Sequence, residues 1–151
     1  MSLADSYRYE VELDWTGARA GVLRAQGFPP LDVSAPLEFS GQAGVWTPEH
    51  LLAGATASCL MTTFLAIAAL SKLEVLGFRL KGHALLEKVE KGYRFTAIRL
   101  FPEITLARTE DVEKAQRVVE KAEKHCFISQ SLVTAVEVEP RFVVASVEMV
   151  R

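Results

Sequence analysis

Residues 47–70 read TPEHLLAGATASCLMTTFLAIAAL, and this stretch decides the fold. Thr47 is a good N-cap residue, Pro48 suits the first helical position, and Glu49 places a negative charge near the positive end of the helix dipole. The remainder of the stretch after Glu49 carries no Asp, Glu, Lys or Arg. The sequence therefore predicts a long helix, continuing to about Leu73, that is apolar on every side.

The uncharged segment Leu51–Leu70 is twenty residues long, which is also enough to cross a bilayer. Its composition favours a core helix, because six alanines and five glycine, serine or threonine residues supply little of the hydrophobicity that insertion requires. A helix without a polar face is also what the centre of a protein core needs. We therefore predict a soluble protein that has no membrane partner.

Alternation of polar and apolar residues predicts six strands on either side of this helix. They are expected at Tyr7–Trp15, Ala20–Ala25, Leu31–Phe39, Phe78–Val89, Tyr93–Leu106 and Ala135–Val147. Thr16–Gly17 and Glu90–Gly92 supply hairpin turns. Pro36 interrupts the third strand, and Pro140 breaks the last one or confines it to a sheet edge.

A second helix is predicted, with Thr109 as its cap, Glu110 and Asp111 in its first turn and Cys126 at its end. Its buried stripe at helical spacing is Val112, Ala115, Val118, Val119, Ala122 and Cys126. Strands and helices are segregated along the chain, so the predicted fold is α+β with antiparallel sheets in a single domain over residues 1–151. Because a helix without a polar face must be covered on all sides, we expect a homodimer whose sheets wrap paired central helices.

Composition excludes several classes of function. The formal net charge of −2 gives no electrostatic footprint for nucleic acid. No secretory signal is visible, so a reducing, cytoplasmic location is expected, where two cysteines do not form a structural disulfide. No pair of cysteines or histidines has CxxC or HxxxH spacing, and we predict no metal and no bound cofactor.

The two cysteines, Cys59 and Cys126, either pack as small hydrophobic residues or act as reactive thiols. Reactivity requires a lowered thiol pKa. The N-terminus of the long helix lies roughly 16 Å from Cys59, too far for its dipole to act. A nearby cation is therefore expected to lower the pKa, and Arg19 and Arg24 on the first hairpin are the candidates.

The segment Trp46–Cys59, WTPEHLLAGATASC, resembles the OsmC/Ohr family (osmotically inducible protein C and organic hydroperoxide resistance protein). Its reactive cysteine stands ten positions after a glutamate, as Cys59 follows Glu49. Cys126-Phe-Ile-Ser129 is similar to the family's second cysteine segment, although members commonly have proline where Phe127 stands. Arg19-Ala-Gly is the best match to the family's activating arginine, with Arg24 as the alternative.

The resemblance implies an OsmC-like, intertwined homodimer that acts as a thiol peroxidase on organic hydroperoxides. In such an enzyme Cys59 would be oxidised to a sulfenic acid, Cys126 would form a disulfide with it, and an external dithiol would restore both thiols. Arg19 would hold Cys59 as a thiolate, and Glu49 would anchor the guanidinium of Arg19 through a two-point salt bridge.

Helical geometry separates Glu49 from Cys59 by roughly 15 Å of rise, so their side chains cannot meet directly. Arg19 would have to bridge this gap, the helix would have to bend near Gly54, or the site would have to combine residues of two subunits, and we expect one of the last two. Two other functions stay open on the sequence alone. A hot-dog thioesterase would use Glu49 as its catalytic carboxylate, and a binding protein for small hydrophobic molecules would use neither thiol.

Overall fold

The computed structural model describes residues 2–145, which form two compact units, residues 2–51 and residues 52–145. The prediction of a single domain over residues 1–151 stays a prediction. The last predicted strand extends to Val147, and its final two residues, Ser146 and Val147, lie outside the described residues.

The first unit contains a three-stranded antiparallel sheet in the order β1-β2-β3. Its strands are β1 (Glu12–Gly17), β2 (Ala20–Arg24) and β3 (Leu31–Ser34). The first strand begins five residues later than predicted, because Glu12 pairs with Arg24 and β2 offers no partner beyond that residue. The predicted third strand ends early, since Pro36 starts a 3-10 turn at Leu37–Phe39.

The central helix α1 (Pro48–Leu70) begins where its sequence signals predict. The Thr47 hydroxyl accepts the backbone N–H of His50 at 3.0 Å, which is the N-cap bond. The helix ends three residues before the predicted Leu73. Lys72 adopts a left-handed conformation, φ 56°, and the amides of Lys72 and Leu73 return to the carbonyls of Ala69 and Ala68. This Schellman motif buries Leu73 and closes the helix without a glycine.

The second unit is built on a long antiparallel hairpin, β4 (Val75–Lys88) and β5 (Tyr93–Leu106). The helix α2 (Val112–His125) and the single turn α3 (Phe127–Gln130) then lead back to the sheet. A 3-10 turn, Thr109–Asp111, precedes α2, so the cap of α2 is Asp111 and the prediction of Thr109 as the cap is wrong by two residues.

The last two strands are short, β6 (Val136–Val138) and β7 (Arg141–Val144), and both pair with β5. Their pairing is parallel, so the prediction of antiparallel sheet holds for the two hairpins and is wrong here. The reason is that α2 and α3 form a crossover, which carries the chain back to start again in the direction of β5. Pro140 separates β6 from β7, as predicted.

The core of the second unit lies between α1, α2 and the inner face of the β4–β5–β6–β7 sheet. The residues of α1 that are buried recur at spacing four: Thr56, Leu60, Phe64 and Ala68. Phe64 stacks obliquely on Phe78 of β4, with ring centroids 5.5 Å apart. In α2 the predicted stripe is buried from Ala115 to Cys126. The mixed architecture confirms the α+β prediction.

Within the described residues, one helix, α1, is long and apolar enough to span a membrane. In the structure, 22% of that span is buried. The expectation that it is covered on all sides is not met within one chain. Its buried face packs in the core of the second unit, as a core helix does, while Leu70 and part of Leu65 remain exposed.

Candidate active site

The second unit brings together the two cysteines, which are far apart in the sequence. Cys59 lies on α1 and is half-buried, whereas Cys126 is fully buried at the junction of α2 and α3. The backbone of Cys126 is extended, φ −69° and ψ 111°, and it therefore ends α2 and caps α3. The thiol of Cys126 is hydrogen-bonded to Cys59. Both thiols are thus free, with Cys126 as the hydrogen-bond donor and Cys59 as the acceptor.

Burial raises the pKa of the Cys59 thiol, but hydrogen bonds outweigh burial, so the pKa lies below its ordinary value. The donors, in decreasing order of effect, are the Cys126 thiol, the Ile128 backbone amide, the Thr63 hydroxyl and the Phe127 backbone amide. The Thr63 oxygen lies 3.9 Å from the Cys59 sulfur, one helical turn away. The Cys59 thiol therefore ionises more readily than an ordinary cysteine thiol.

The opposite holds for Cys126. Burial raises the pKa of the Cys126 thiol, its hydrogen bond to Cys59 raises it further, and the hydroxyl and backbone amide of Ser129 only partly offset this. The Ser129 hydroxyl donates to the Cys126 sulfur at 3.3 Å. Of the two thiols, Cys59 is consequently the one that loses its proton more readily, and Cys126 the one that keeps it.

Within residues 2–145, the groups that lower the pKa of Cys59 are thus a thiol, a hydroxyl and two amides, and none is a guanidinium. The expectation considered only the distant N-terminus of α1 and a nearby cation, and it did not include these donors. The role of Arg19 toward Cys59 stays a prediction. The amides of Phe127 and Ile128 belong to α3, whose position beside Cys59 is a tertiary feature. Thr63 could have been found, since residues four apart are neighbours on a helix.

Arg19 and Glu49, the other two predicted site residues, lie together in the first unit. They line one cavity of about 510 Å³, whose walls are mostly apolar. Its apolar lining includes Leu13, Trp15, Val33, Pro36 and Phe39. The Arg19 guanidinium donates to the Phe39 carbonyl at 3.2 Å. One carboxylate oxygen of Glu49, Oε2, is buried and has no hydrogen-bond partner among the described residues.

Arg24, the alternative to Arg19, has a different environment. Its guanidinium pairs with Asp14 at 3.6 Å, and both side chains are largely exposed. It does not line the cavity that holds Glu49. The structure therefore groups Glu49 with Arg19 and leaves Arg24 at the surface of the sheet.

No group of three or more His, Cys, Asp or Glu side chains that could hold a metal ion occurs in the part of the chain that the structure describes. The prediction of no metal stays a prediction. Among the described residues, the groups suited to chemistry are the thiol pair and the Arg19–Glu49 cavity.

Comparison with known proteins places this geometry in a family. The model of the family described as OsmC-like protein matches residues 39–141. The chain is 27% identical over 141 residues to the uncharacterized protein YmaD of Bacillus subtilis, covering 91% of this chain and 93% of YmaD.

Solved structures agree in fold. An OsmC-like protein of unknown function from Vibrio cholerae superposes with a TM-score of 0.82 at 22% identity, over 89% of this chain and 99% of that one. An organic hydroperoxide resistance protein OsmC from Legionella pneumophila gives 0.72 at 25% identity, covering 91% and 98%. The organic hydroperoxide resistance protein OhrB of Bacillus subtilis gives 0.66 at 25% identity, with the same coverage. The resemblance seen around Cys59 thus extends over the fold, and the chain belongs to the OsmC-like protein family.

Proposed function

We propose that this protein is a thiol peroxidase that reduces organic hydroperoxides. The observation that carries the proposal is the Cys59 thiol, whose pKa is lowered and which is hydrogen-bonded to a second, buried thiol. A thiolate is the nucleophilic form of cysteine, and a neighbouring thiol is what resolves the oxidised product. Two of the similar structures are of organic hydroperoxide resistance proteins, which supports a peroxide as the substrate class.

The proposed reaction has three steps. The Cys59 thiolate attacks the outer peroxide oxygen, the O–O bond breaks, and the alkoxide takes up a proton to leave as an alcohol. Cys59 is then a sulfenic acid, which the Cys126 sulfur attacks to form a disulfide, releasing water. An external dithiol reduces that disulfide by exchange and is itself oxidised. The two electrons that reduce the peroxide thus come ultimately from the dithiol.

Arg19 and Glu49 are proposed to serve the peroxide. Arg19 would stabilise the charge that develops on the leaving oxygen, and Glu49 would orient the guanidinium. The partnerless Oε2 of Glu49 supports this, because a buried carboxylate oxygen needs a donor and Arg19 lines the same cavity. Replacing Arg19 by lysine is expected to lower turnover at least about tenfold, since lysine lacks the two-point fork. The matched Arg24→Lys variant is expected to stay within about twofold of wild type.

A homodimer is proposed as the working unit. One face of α1 is buried within the chain, and large apolar side chains elsewhere are exposed, among them Trp15, Phe28 and Leu70. Such surfaces are typical of association between chains. The two alternatives for the site, a bend of α1 near Gly54 and a site shared by two copies, both stay predictions. Light scattering on the eluted protein is expected to give twice the mass of one chain, and a single-chain mass would contradict the proposal.

The function is tested by consumption of cumene hydroperoxide in the presence of dithiothreitol. Cys59→Ser is expected to lose turnover at least about a thousandfold, because the serine hydroxyl is not ionised near neutral pH. Ser58→Ala, the neighbouring position on α1, serves as the control and should retain full activity. If Cys59→Ser keeps its turnover, the proposal is wrong. Acyl-thioester hydrolysis that depends on Glu49 would point to a thioesterase, and no turnover of either substrate to a binding protein.

The role of the second thiol is tested separately. Cys126→Ser should still consume one equivalent of peroxide, because Cys59 remains, but should form no intramolecular disulfide. Intact-mass measurement after that single equivalent distinguishes oxidised Cys59 without a disulfide from the intramolecular disulfide. Loss of two hydrogens in the variant, as in a disulfide, would exclude Cys126 from the reaction.

A further inference from the structure

The proposed function explains why Cys126 lies beside Cys59, but it leaves a difficulty at the second step. Cys126 must lose its proton before its sulfur can attack the sulfenic acid, and the free thiol is a poor nucleophile. Its surroundings oppose that loss, since Cys126 is fully buried and burial raises the pKa of its thiol. A chain that uses Cys126 for resolution therefore needs a group that stabilises negative charge on this sulfur.

Among the side chains that the structure describes, Ser129 is the one that donates a hydrogen bond to the Cys126 sulfur, since Cys59 accepts from Cys126 instead. Its hydroxyl donates to the Cys126 sulfur at 3.3 Å from the third position of α3. The side chain is partly buried, so water competes only weakly for the same bond. The Cys126 thiol in turn donates to Cys59. The three groups form one chain of hydrogen bonds that runs from Ser129 through Cys126 to Cys59.

We infer that Ser129 activates the resolving thiol, by donating a hydrogen bond that strengthens as negative charge grows on the Cys126 sulfur during disulfide formation. This inference rests on the proposed thiol peroxidase function. In the step concerned, the Cys126 S–H bond breaks, the Cys126 sulfur bonds to the sulfur of Cys59, and the Cys59 S–O bond breaks. The hydroxide that leaves takes up the Cys126 proton and departs as water.

The direction of the effect follows from the charges. In the resting pair the Ser129 bond is made to a neutral sulfur, and in the transition state it is made to a partly anionic one. Hydrogen bonds to charged acceptors are roughly twice as strong as those to neutral ones. Ser129 therefore stabilises the transition state more than the ground state, which is the condition for accelerating a step. Ser129 also lowers the pKa of Cys126, against the effect of burial.

The test separates the two chemical steps by rapid mixing with one equivalent of cumene hydroperoxide. Samples are quenched with dimedone, which traps the sulfenic acid, and are resolved by intact mass. In Ser129→Ala, disulfide formation is expected to slow about tenfold, while total oxidation of Cys59 stays within about threefold of wild type. Dimedone-trapped Cys59 should accumulate as a result. An unchanged rate of disulfide formation overturns the inference, and so does an equal loss in both steps.

Two further variants decide whether the hydroxyl is the active feature. Ser129→Thr keeps a hydroxyl at the same carbon and should restore disulfide formation to within about threefold of wild type. A threonine variant as slow as the alanine variant overturns the inference. Ser131→Ala is the matched control, because Ser131 lies two residues on and its hydroxyl donates to the Phe127 carbonyl instead. It should behave as wild type, and slowing as large as in Ser129→Ala overturns the inference.

Diamide oxidation makes the failure of this inference distinguishable from failure of the proposed function. Diamide adds to the Cys59 thiolate, Cys126 then displaces it, and the reagent leaves as its reduced hydrazine. Ser129→Ala should slow this disulfide formation as well, whatever the protein does with peroxides. If peroxide turnover needs Cys59 but Ser129→Ala resolves normally with both oxidants, the inference alone is wrong.

Discussion

Replacing Phe64 by alanine tests whether α1 is a core helix of the second unit. Phe64 is 1% exposed, stacks on Phe78, and is among the largest fully buried side chains. Losing its transfer free energy costs about 1.5–3 kcal/mol, and the cavity left behind raises the cost to about 3–5 kcal/mol. For a chain of this length each kcal/mol lowers the melting temperature by roughly 2–4 °C, so we expect a fall on the order of 10 °C.

The assay is urea unfolding followed by helical circular dichroism, in buffer without detergent. Phe64→Leu should cost only about 1 kcal/mol, because it keeps most of the buried volume. Thr62→Ala is the matched control on the same helix, since Thr62 is exposed and its hydroxyl donates to the Cys59 carbonyl one turn earlier, and it should cost less than about 0.5 kcal/mol. A Phe64→Ala variant as stable as the control, or a wild-type protein that requires detergent, would refute the reasoning that α1 packs in a core.

Three other outcomes follow from local geometry. Thr47→Ala should destabilise the protein by about 1–2 kcal/mol in thermal unfolding, because it removes the N-cap of α1, and Thr47→Ser should not. Gly41→Ala should cost about 3 kcal/mol or more, since its new Cβ would lie 1.5 Å from the Ala35 carbonyl oxygen. Gly44→Ala meets no atom within 4 Å and should cost only the roughly 1–2 kcal/mol of its positive φ; equal losses in the two variants would contradict the clash. The rate of Cys59 alkylation by iodoacetamide should rise with pH and level off at a lower pH than that of free cysteine, because the lowered pKa leaves the thiol ionised sooner. A profile that matches free cysteine would contradict the hydrogen bonding described at Cys59.

Local signals predicted the elements of this fold, and long-range pairing determined where those predictions failed. The start of α1 was predictable because Thr47, Pro48 and Glu49 act within one turn of helix. Its end was not, because the Schellman motif uses Lys72 in a conformation that usually belongs to glycine. The parallel direction of β6 and β7 depends on how the chain returns after α2, which no alternation of residues encodes.

The candidate site divides in the same way. The family resemblance predicted Cys59 and Cys126 as a reactive pair, and the fold places them together. Sequence reasoning assigned the lowered pKa of Cys59 to a cation, because charges can be read from a sequence whereas backbone amides cannot. The donors from α3 reach Cys59 only once Cys126 has broken the helical path after His125. That break is a single extended residue, and the residue pattern of α2 does not predict it.

The interruption at Pro140 has a consequence for how the protein behaves at high concentration. An uninterrupted strand along that side of β5 would present a long row of unpaired amides and carbonyls to other molecules. Unpaired edges of this kind allow sheets of different molecules to pair and to aggregate. Here the border consists of two pieces, three and four residues long, separated by Glu139 and by Pro140, which has no N–H to donate. Each piece is too short to template stable pairing. Replacing the proline would lengthen that border and is expected to make the protein precipitate sooner.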